Sequence, residues 1–452
     1  MKNVSRVRTY RTWLLSSMLV GGAVLSNVQA QTAPSVPGSA EVFPIDLPTT
    51  LRLAHAENLD VQIAQKRLDE AKANRDGSLW QFFPWISPGV SARRHEGRTQ
   101  AVDGTLLDAA KQSFVPGATV TAQLDLGDGI FKALATKQLV NAATQGLDAQ
   151  QQDTTLSAAQ GYFELAKTKA VVEVVREALR TSEGYGTQLH AAVSAGVVFK
   201  GDELRVQTQS QRYRVALSQS REQQRIASAR LAQILHLDPT IELVPADGEL
   251  VPIALVETTG DLPALVRQAL EARPELKQNQ ALIAAARETK RGAVYGPLIP
   301  SLGVQAFLGE FGGGQGDATG NYGASRDYYI GLSWRIGPGG LFDFSRINAS
   351  QARLEAAELT ALKTSDEVAR QVVEGYTRVR SLSDQIAANR QSLSAATETL
   401  RLTRERKQLG VGIVLEDIQA QQELVRSRAD YLTAIADFNK AQYLLSKVLG
   451  NW

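Results

Sequence analysis

The sequence predicts a mainly α-helical, internally duplicated protein with four β-strands per chain suited to a membrane. Three observations carry this. Two proline-free stretches are far longer than a globular core requires. One unit of helices and strands is written twice at a fixed spacing. Between the helices lie short segments in which apolar and polar residues alternate. Composition narrows the class further. Hydrophobic residues make up 43% of the 452-residue chain, enough to bury a core, and 21% charged residues argues against disorder. Lys plus Arg is 49 against 47 for Asp plus Glu, so the basic excess of a nucleic-acid binder is missing. Cysteine is absent, which excludes disulfides, thiolate metal sites, Cys nucleophiles and N-terminal lipid attachment. The histidines, His55, His95, His190 and His236, are far apart, so no metal centre or other cofactor is expected. No Ser, His and Asp group lies on a recognisable nucleophile turn, and no enzyme activity is expected.

Residues 1–30 read as a signal peptide. Lys2, Arg6, Arg8 and Arg11 precede an apolar run from Trp13 to Leu25, and Val28-Gln29-Ala30 offers a small-residue cleavage site. The run is shorter than the roughly 20 residues of a spanning helix. An extended segment, 31–46, follows. No later stretch is long and apolar enough for a transmembrane helix.

The repeats span 47–236 and 261–452. The linker between them, 237–260, holds Pro239, Pro245, Gly248, Pro252 and Gly260. At a constant offset of 214, Gly161-Tyr162 falls on Gly375-Tyr376, Gly196 on Gly410, Asp202 on Glu416 and Gln207 on Gln421. Each repeat opens with a helix, 47–79 in the first and broken at Pro274 in the second. Strands follow at about 85–94 and 117–126, and at about 301–309 and 327–336. Ala118, Val120, Ala122 and Leu124 alternate with Thr119, Thr121 and Gln123, as Tyr328, Ile330, Leu332, Trp334 and Ile336 do with Tyr329, Gly331, Ser333 and Arg335. Trp85, Tyr328 and Trp334, near strand ends, suit interfacial aromatic belts. The glycine-rich Glu310–Gly316 and the charged Arg93–Arg98 are expected in external loops.

The long helices, 131–195 and 342–409, carry a seven-residue apolar repeat: Val372, Val379, Ile386, Leu393 and Leu400, matched by Ala158, Leu165, Val172 and Leu179. Such spacing makes a coiled-coil seam, and at ~1.5 Å per residue each helix is on the order of 100 Å long. The closing helices, 202–235 and 415–449, repeat the pattern at Leu424, Tyr431, Phe438 and Leu445. Helices 47–79 and 202–235, stacked end to end, match one long helix in length. Four strands cannot close a barrel, and lipid does not tolerate an open sheet edge. Strands of this kind in a membrane must be pooled between protomers; three copies give a twelve-stranded barrel.

At this point the chain resembles the TolC family of outer-membrane efflux channels. The carriers are the doubled unit, the helix-to-strand prolines Pro84 and Pro300, and the strand-to-helix turns Leu126-Gly127-Asp128-Gly129-Ile130-Phe131 and Ile336-Gly337-Pro338-Gly339-Gly340-Leu341-Phe342. To these add the Gly-Tyr pairs and the helix-hairpin turns at Gly196 and Gly410. The resemblance implies a homotrimer, with a barrel in outer-membrane lipid and a helical tunnel across the periplasm. Its tip would meet a periplasmic adaptor bound to an inner-membrane pump. It also implies a periplasmic gate with acidic residues after the second-repeat glycine. Glu416 matches the first of these, Gln419 stands at the next, and Asp202 and Arg205 occupy the corresponding positions of the first repeat. Lys407 stands where the family often has an aromatic. At the tips, Gly196, Val197, Val198 and Phe199, with Gly410, Val411, Ile413, Val414 and Leu415, form an apolar surface expected to contact the adaptor. The alternative is a non-conducting coiled-coil structural protein that spans the periplasm.

Overall fold

The computed structural model describes residues 42–257, 260–316, 319–409 and 412–451; the expected signal peptide and residues 31–41 lie outside them. In chain order the elements are β1 (Val42–Ile45), α1 (Leu47–Glu57), α2 (Leu59–Trp80), β2 (Trp85–Gln100), β3 (Leu106–Leu124), α3 (Leu126–Ser194), α4 (Lys200–Ile234), β4 (Glu242–Pro245), α5 (Leu262–Ala272), α6 (Pro274–Tyr295), β5 (Ser301–Gln315), β6 (Gly323–Ser333), α7 (Phe344–Gln408) and α8 (Val414–Val448). The second half thus repeats the order of the first.

The opening helix expected at 47–79 is divided at Asn58. Its buried side chain accepts from the amides of Asp60 at 2.9 Å and Val61 at 3.3 Å, and its amide nitrogen donates to the Ile234 carbonyl at 2.9 Å. One residue therefore caps α2 and ties the stacked helices α1 and α2 to the end of α4. The second half divides at Arg273, and Pro274 starts α6 where its missing N–H costs no bond.

The large sheet is antiparallel throughout, in the order β2-β3-β5-β6. Register places Ile86, Val120, Ala306 and Tyr328 in one row across it, and Ser87, Thr119, Phe307 and Asp327 in the next. Because side chains alternate, one face is apolar and the other mainly polar. Trp85 falls in the row of Thr121, Gln305 and Tyr329, on the polar face, so it does not join the apolar belt expected for it. The strands run further outward than expected. Arg93–Arg98 and Gly312–Gly314, expected in loops, continue the pairing, since neither charge nor glycine prevents backbone hydrogen bonding at a sheet's end. Within the chain Pro88 is accommodated because β2 pairs on one side only, with β3. At the helix end the strands stop short: Leu126 already opens α3, and Trp334 and Ile336 lie beyond β6.

The seven-residue repeat becomes the helix core. Leu165, Val172, Val372 and Val379 are at most 2% exposed; Leu165 packs with Leu231 and Leu235, Val172 with Leu217, and Val372 and Val379 with Leu445 and Leu449 of the closing helices. The Gly-Tyr pairs acquire a steric reason. A Cβ at Gly161 would sit 3.1 Å from the Leu231 side chain, and one at Gly375 would sit 3.4 Å from that of Leu445. The two leucines are themselves 214 positions apart. Three ion pairs join the halves along α3 and α8: Asp153 with Lys447, Glu164 with Lys440, and Glu177 with Arg428.

The linker is more structured than its turn formers imply. β4 pairs in parallel with β1. The next segment lies on α8, where buried Asn439 bonds Ile253 N and Val251 O at 2.8 Å each, and Gln442 accepts from Val256 N at 2.9 Å.

Candidate functional site

Two regions matter: the junctions where helices become strands, and the tips where helices reverse. At the junctions Pro84 and Pro300 immediately precede β2 and β5. Gly127 lies in the first turn of α3, so close to Gly296 that a Cβ there would fall 2.0 Å from its carbonyl oxygen. Gly337 turns the chain with φ of 104°. Arg346, in the first turn of α7, reaches Asp128 in the first turn of α3 at 2.7 Å, binding the two junctions together.

At the first tip α3 ends in a Schellman turn. Gly196 has φ of 73°, and the amides of Gly196 and Val197 donate to Val193 and Ala192. Asp202 and Arg205 pair with each other at 3.1 Å along α4. Glu203 accepts from Lys200 at 2.6 Å and meets His190 at 2.9 Å; these bonds hold its carboxyl below the usual glutamate range.

At the second tip Gly410 and Val411 lie outside the described residues. Val414 does not belong to the exposed surface expected of it. As the first residue of α8 it faces the first hairpin and is buried with Ile418, Leu189 and Val206, while Val198 is half-buried against the same cluster. The exposed apolar tip is therefore Val197, Phe199, Ile413 and Leu415.

The expected gate acids Asp202 and Glu416 each pair within their own hairpin. Glu416 pairs with Arg406 at 3.3 Å on the surface, and Gln419 is exposed. The buried acid is the neighbouring Asp417, with Arg404 at 3.7 Å and Lys407 at 4.0 Å. Lys407 in turn lies 3.3 Å over the ring of Tyr185 on α3, which makes a cation–π link between the two hairpins. Burial pushes its ammonium below the usual lysine range, against the pull of Asp417. Burial, with the negative charges of Asp417 and Asp202, holds the Tyr185 hydroxyl protonated well above the usual tyrosine range. Sequence reasoning missed Tyr185, Arg404 and Asp417. One signal was available: adjacent acids in a helix point about 100° apart, so of Glu416 and Asp417 only one can face the partner hairpin.

This pair of long helical hairpins beneath an amphipathic four-stranded sheet matches known proteins. The outer membrane efflux protein profile fits the sequence twice, over residues 50–235 and 265–451. The chain belongs to the outer membrane efflux protein family. Among curated relatives, Protein CyaE of Bordetella pertussis is 24% identical over 97% of this chain and 94% of its own length. The probable efflux pump outer membrane protein TtgC of Pseudomonas putida is 24% identical over 85% of this chain and 80% of its own. Among solved structures, the CmeC outer membrane channel of Campylobacter jejuni superposes with a TM-score of 0.75 at 14% identity, covering 89% of this chain and 85% of its own. The open-state MtrE outer membrane channel of Neisseria gonorrhoeae gives 0.74 at 17% identity, covering 93% and 94%. As a member of the outer membrane efflux family, the chain resides in the outer membrane with its helices in the periplasm, and its role is that of an efflux channel rather than an enzyme.

Proposed function

We propose that three copies of this chain pool their sheets into a twelve-stranded barrel, and that the helices continue it as a tunnel. The tunnel receives cargo from an inner-membrane pump through a periplasmic adaptor. One observation carries the reading. The sheet leaves β2 and β6 as unpaired edges and exposes an apolar face, with Val90, Ile330 and Tyr328 each more than 70% exposed. Lipid would solvate that face but not those edges. Joining β6 of one copy to β2 of the next removes every edge and leaves the polar row of Ser87, Thr119 and Asp327 facing the lumen.

The hairpin tips are the gate in this reading. Tyr185, Lys407 and Asp417 hold the second hairpin against the first, and separating the hairpins opens the tunnel. Glu416 and Gln419, on α8 just past the turn, would line the narrowed axis together with Asp202 and Arg205. The exposed Val197, Phe199, Ile413 and Leu415 would meet the adaptor. The test is extraction of the full chain from outer membranes in mild detergent, followed by mass measurement. A heat-labile trimer that carries single-channel current is expected. A monomer released without detergent would refute the reading.

A further inference from the structure

The luminal face of the sheet carries a group of cations that efflux as such does not explain. Register sets Arg93 opposite Ser113 and His95 opposite Lys111. By alternation Arg93, His95 and Lys111 share the face of Ser87, Ser91, Thr119 and Thr121, the polar one. Helices join these strands at Trp85 and Leu124. At about 3.3 Å per residue, Arg93 stands roughly 26 Å along its strand from that junction. There the apolar band of the opposite face, Ile86 to Ala92 on β2, comes to its end. The cations therefore sit at the far, outer mouth.

The two faces carry different balances of charge: within the strands the apolar face sets Arg94, Arg98 and Arg326 against Glu96, Asp108 and Glu310. On the apolar face Arg94 is paired with Glu96 at 2.5 Å and Arg98 with Asp108 at 3.8 Å. On the luminal face neither Arg93 nor Lys111 has a carboxylate partner among the described residues. His95 between them has its Nε2 covered and without a hydrogen-bond partner. The remaining charged residue of this face in the four strands is Asp327, in the row of Ser87. That row is about 20 Å deeper than Arg93, beyond the ~8 Å over which a charge acts through physiological salt. Asp103, in the turn between β2 and β3, is engaged by Thr105 at 2.7 Å.

We infer that Arg93, Lys111 and His95 form an anion-attracting collar at the outer mouth of the barrel, which favours passage of small carboxylate- or phosphate-bearing cargo. The inference rests on the channel reading. A ring of fixed like charges lining a narrow mouth focuses potential and raises the local concentration of counter-ions.

The experiment uses the full-length trimer in planar bilayers, with inorganic tripolyphosphate added from the barrel side or the helix side. Block of potassium chloride current from the barrel side is expected at lower concentration than from the helix side. In R93Q/K111Q the half-blocking concentration from the barrel side should rise about tenfold, and the reversal potential in a salt gradient should move toward cations. R93K/K111R, which keeps the charge, should retain block. D327N should move the reversal potential the opposite way. Each variant is first checked as a heat-labile trimer; if R93Q/K111Q does not assemble, R93Q and K111Q singly should each give part of the shift. Equal block in wild type and the glutamine variants, or loss of block in the charge-conserving one, overturns the collar. Trimers that carry no current in any variant overturn the channel reading instead.

Discussion

Lys407→Met tests the gate most directly. The substitution keeps the length of the side chain and its packing against Tyr185 but removes the charge. Lys407 lies 3.3 Å over the ring, and its side chain is only 30% exposed. A cation–π contact so shielded contributes about 1–2 kcal/mol. If the three hairpins of a trimer open together, the loss sums to about 3–6 kcal/mol, on the order of a hundredfold or more in the open-to-closed ratio. Open probability in planar bilayers reads this out. The decisive form is a double-mutant cycle with Tyr185→Leu. If the two side chains interact as described, the double variant opens no more readily than the worse single one, with a coupling of about 1 kcal/mol per protomer. Strict additivity, or an open probability in K407M equal to wild type, would refute the reasoning. Arg406→Met removes the surface pair with Glu416 and should change opening by no more than about 1 kcal/mol, as exposed pairs do.

Three further outcomes are expected. Asn439→Leu leaves two backbone groups of the docked linker without partners, about 1–3 kcal/mol each, and hydrogen exchange of residues 250–257 should accelerate accordingly. Gly127→Ala drives a Cβ into the Gly296 carbonyl, so the heat-labile trimer should be lost, whereas Gly77→Ala, with nothing within 4 Å of the new atom, should keep or slightly raise its melting temperature. Lys200 and His190 hold the Glu203 carboxyl below the usual glutamate range, so its contribution is complete above about pH 4.5 and fades as pH falls through the lower, folded-state value. Exchange at 196–206 should therefore rise below about pH 4.5 in wild type but show no such step in E203Q.

Much of this architecture is local and therefore legible in the sequence. Period-seven residues such as Val372 and Val379 can lie on one helix stripe only, and period-two residues such as Val120 and Leu332 on one sheet face only. The offset of 214 transfers whatever is read in one half to the other. Pro274 and Gly196 mark a break and a reversal because their backbone chemistry leaves few alternatives. The division at Asn58 was not legible. Asn caps many helices, and what fixes it here is the Ile234 carbonyl, 176 residues away in the chain.

The site divides in the same way. That the tips would be apolar and acidic followed from their residues. Which side chains would meet did not, because it depends on how one hairpin is rotated against another. Val414 and Leu415 are adjacent and equally apolar, yet one is buried against Leu189 and the other is exposed. Glu416 and Asp417 are adjacent and equally acidic, yet only Asp417 is drawn toward Arg404 and Lys407 beneath Tyr185. The mouth cations show both contributions: alternation alone separates Arg93 from Arg94, but only strand register brings Lys111 beside His95. The sequence by itself determined the helices, the strands, their duplication and the apolar face, because these follow from spacing along one chain. The tertiary structure decided the linker's docking, the identity of the buried acid and the company each charge keeps, because these follow from contacts between segments that spacing does not relate.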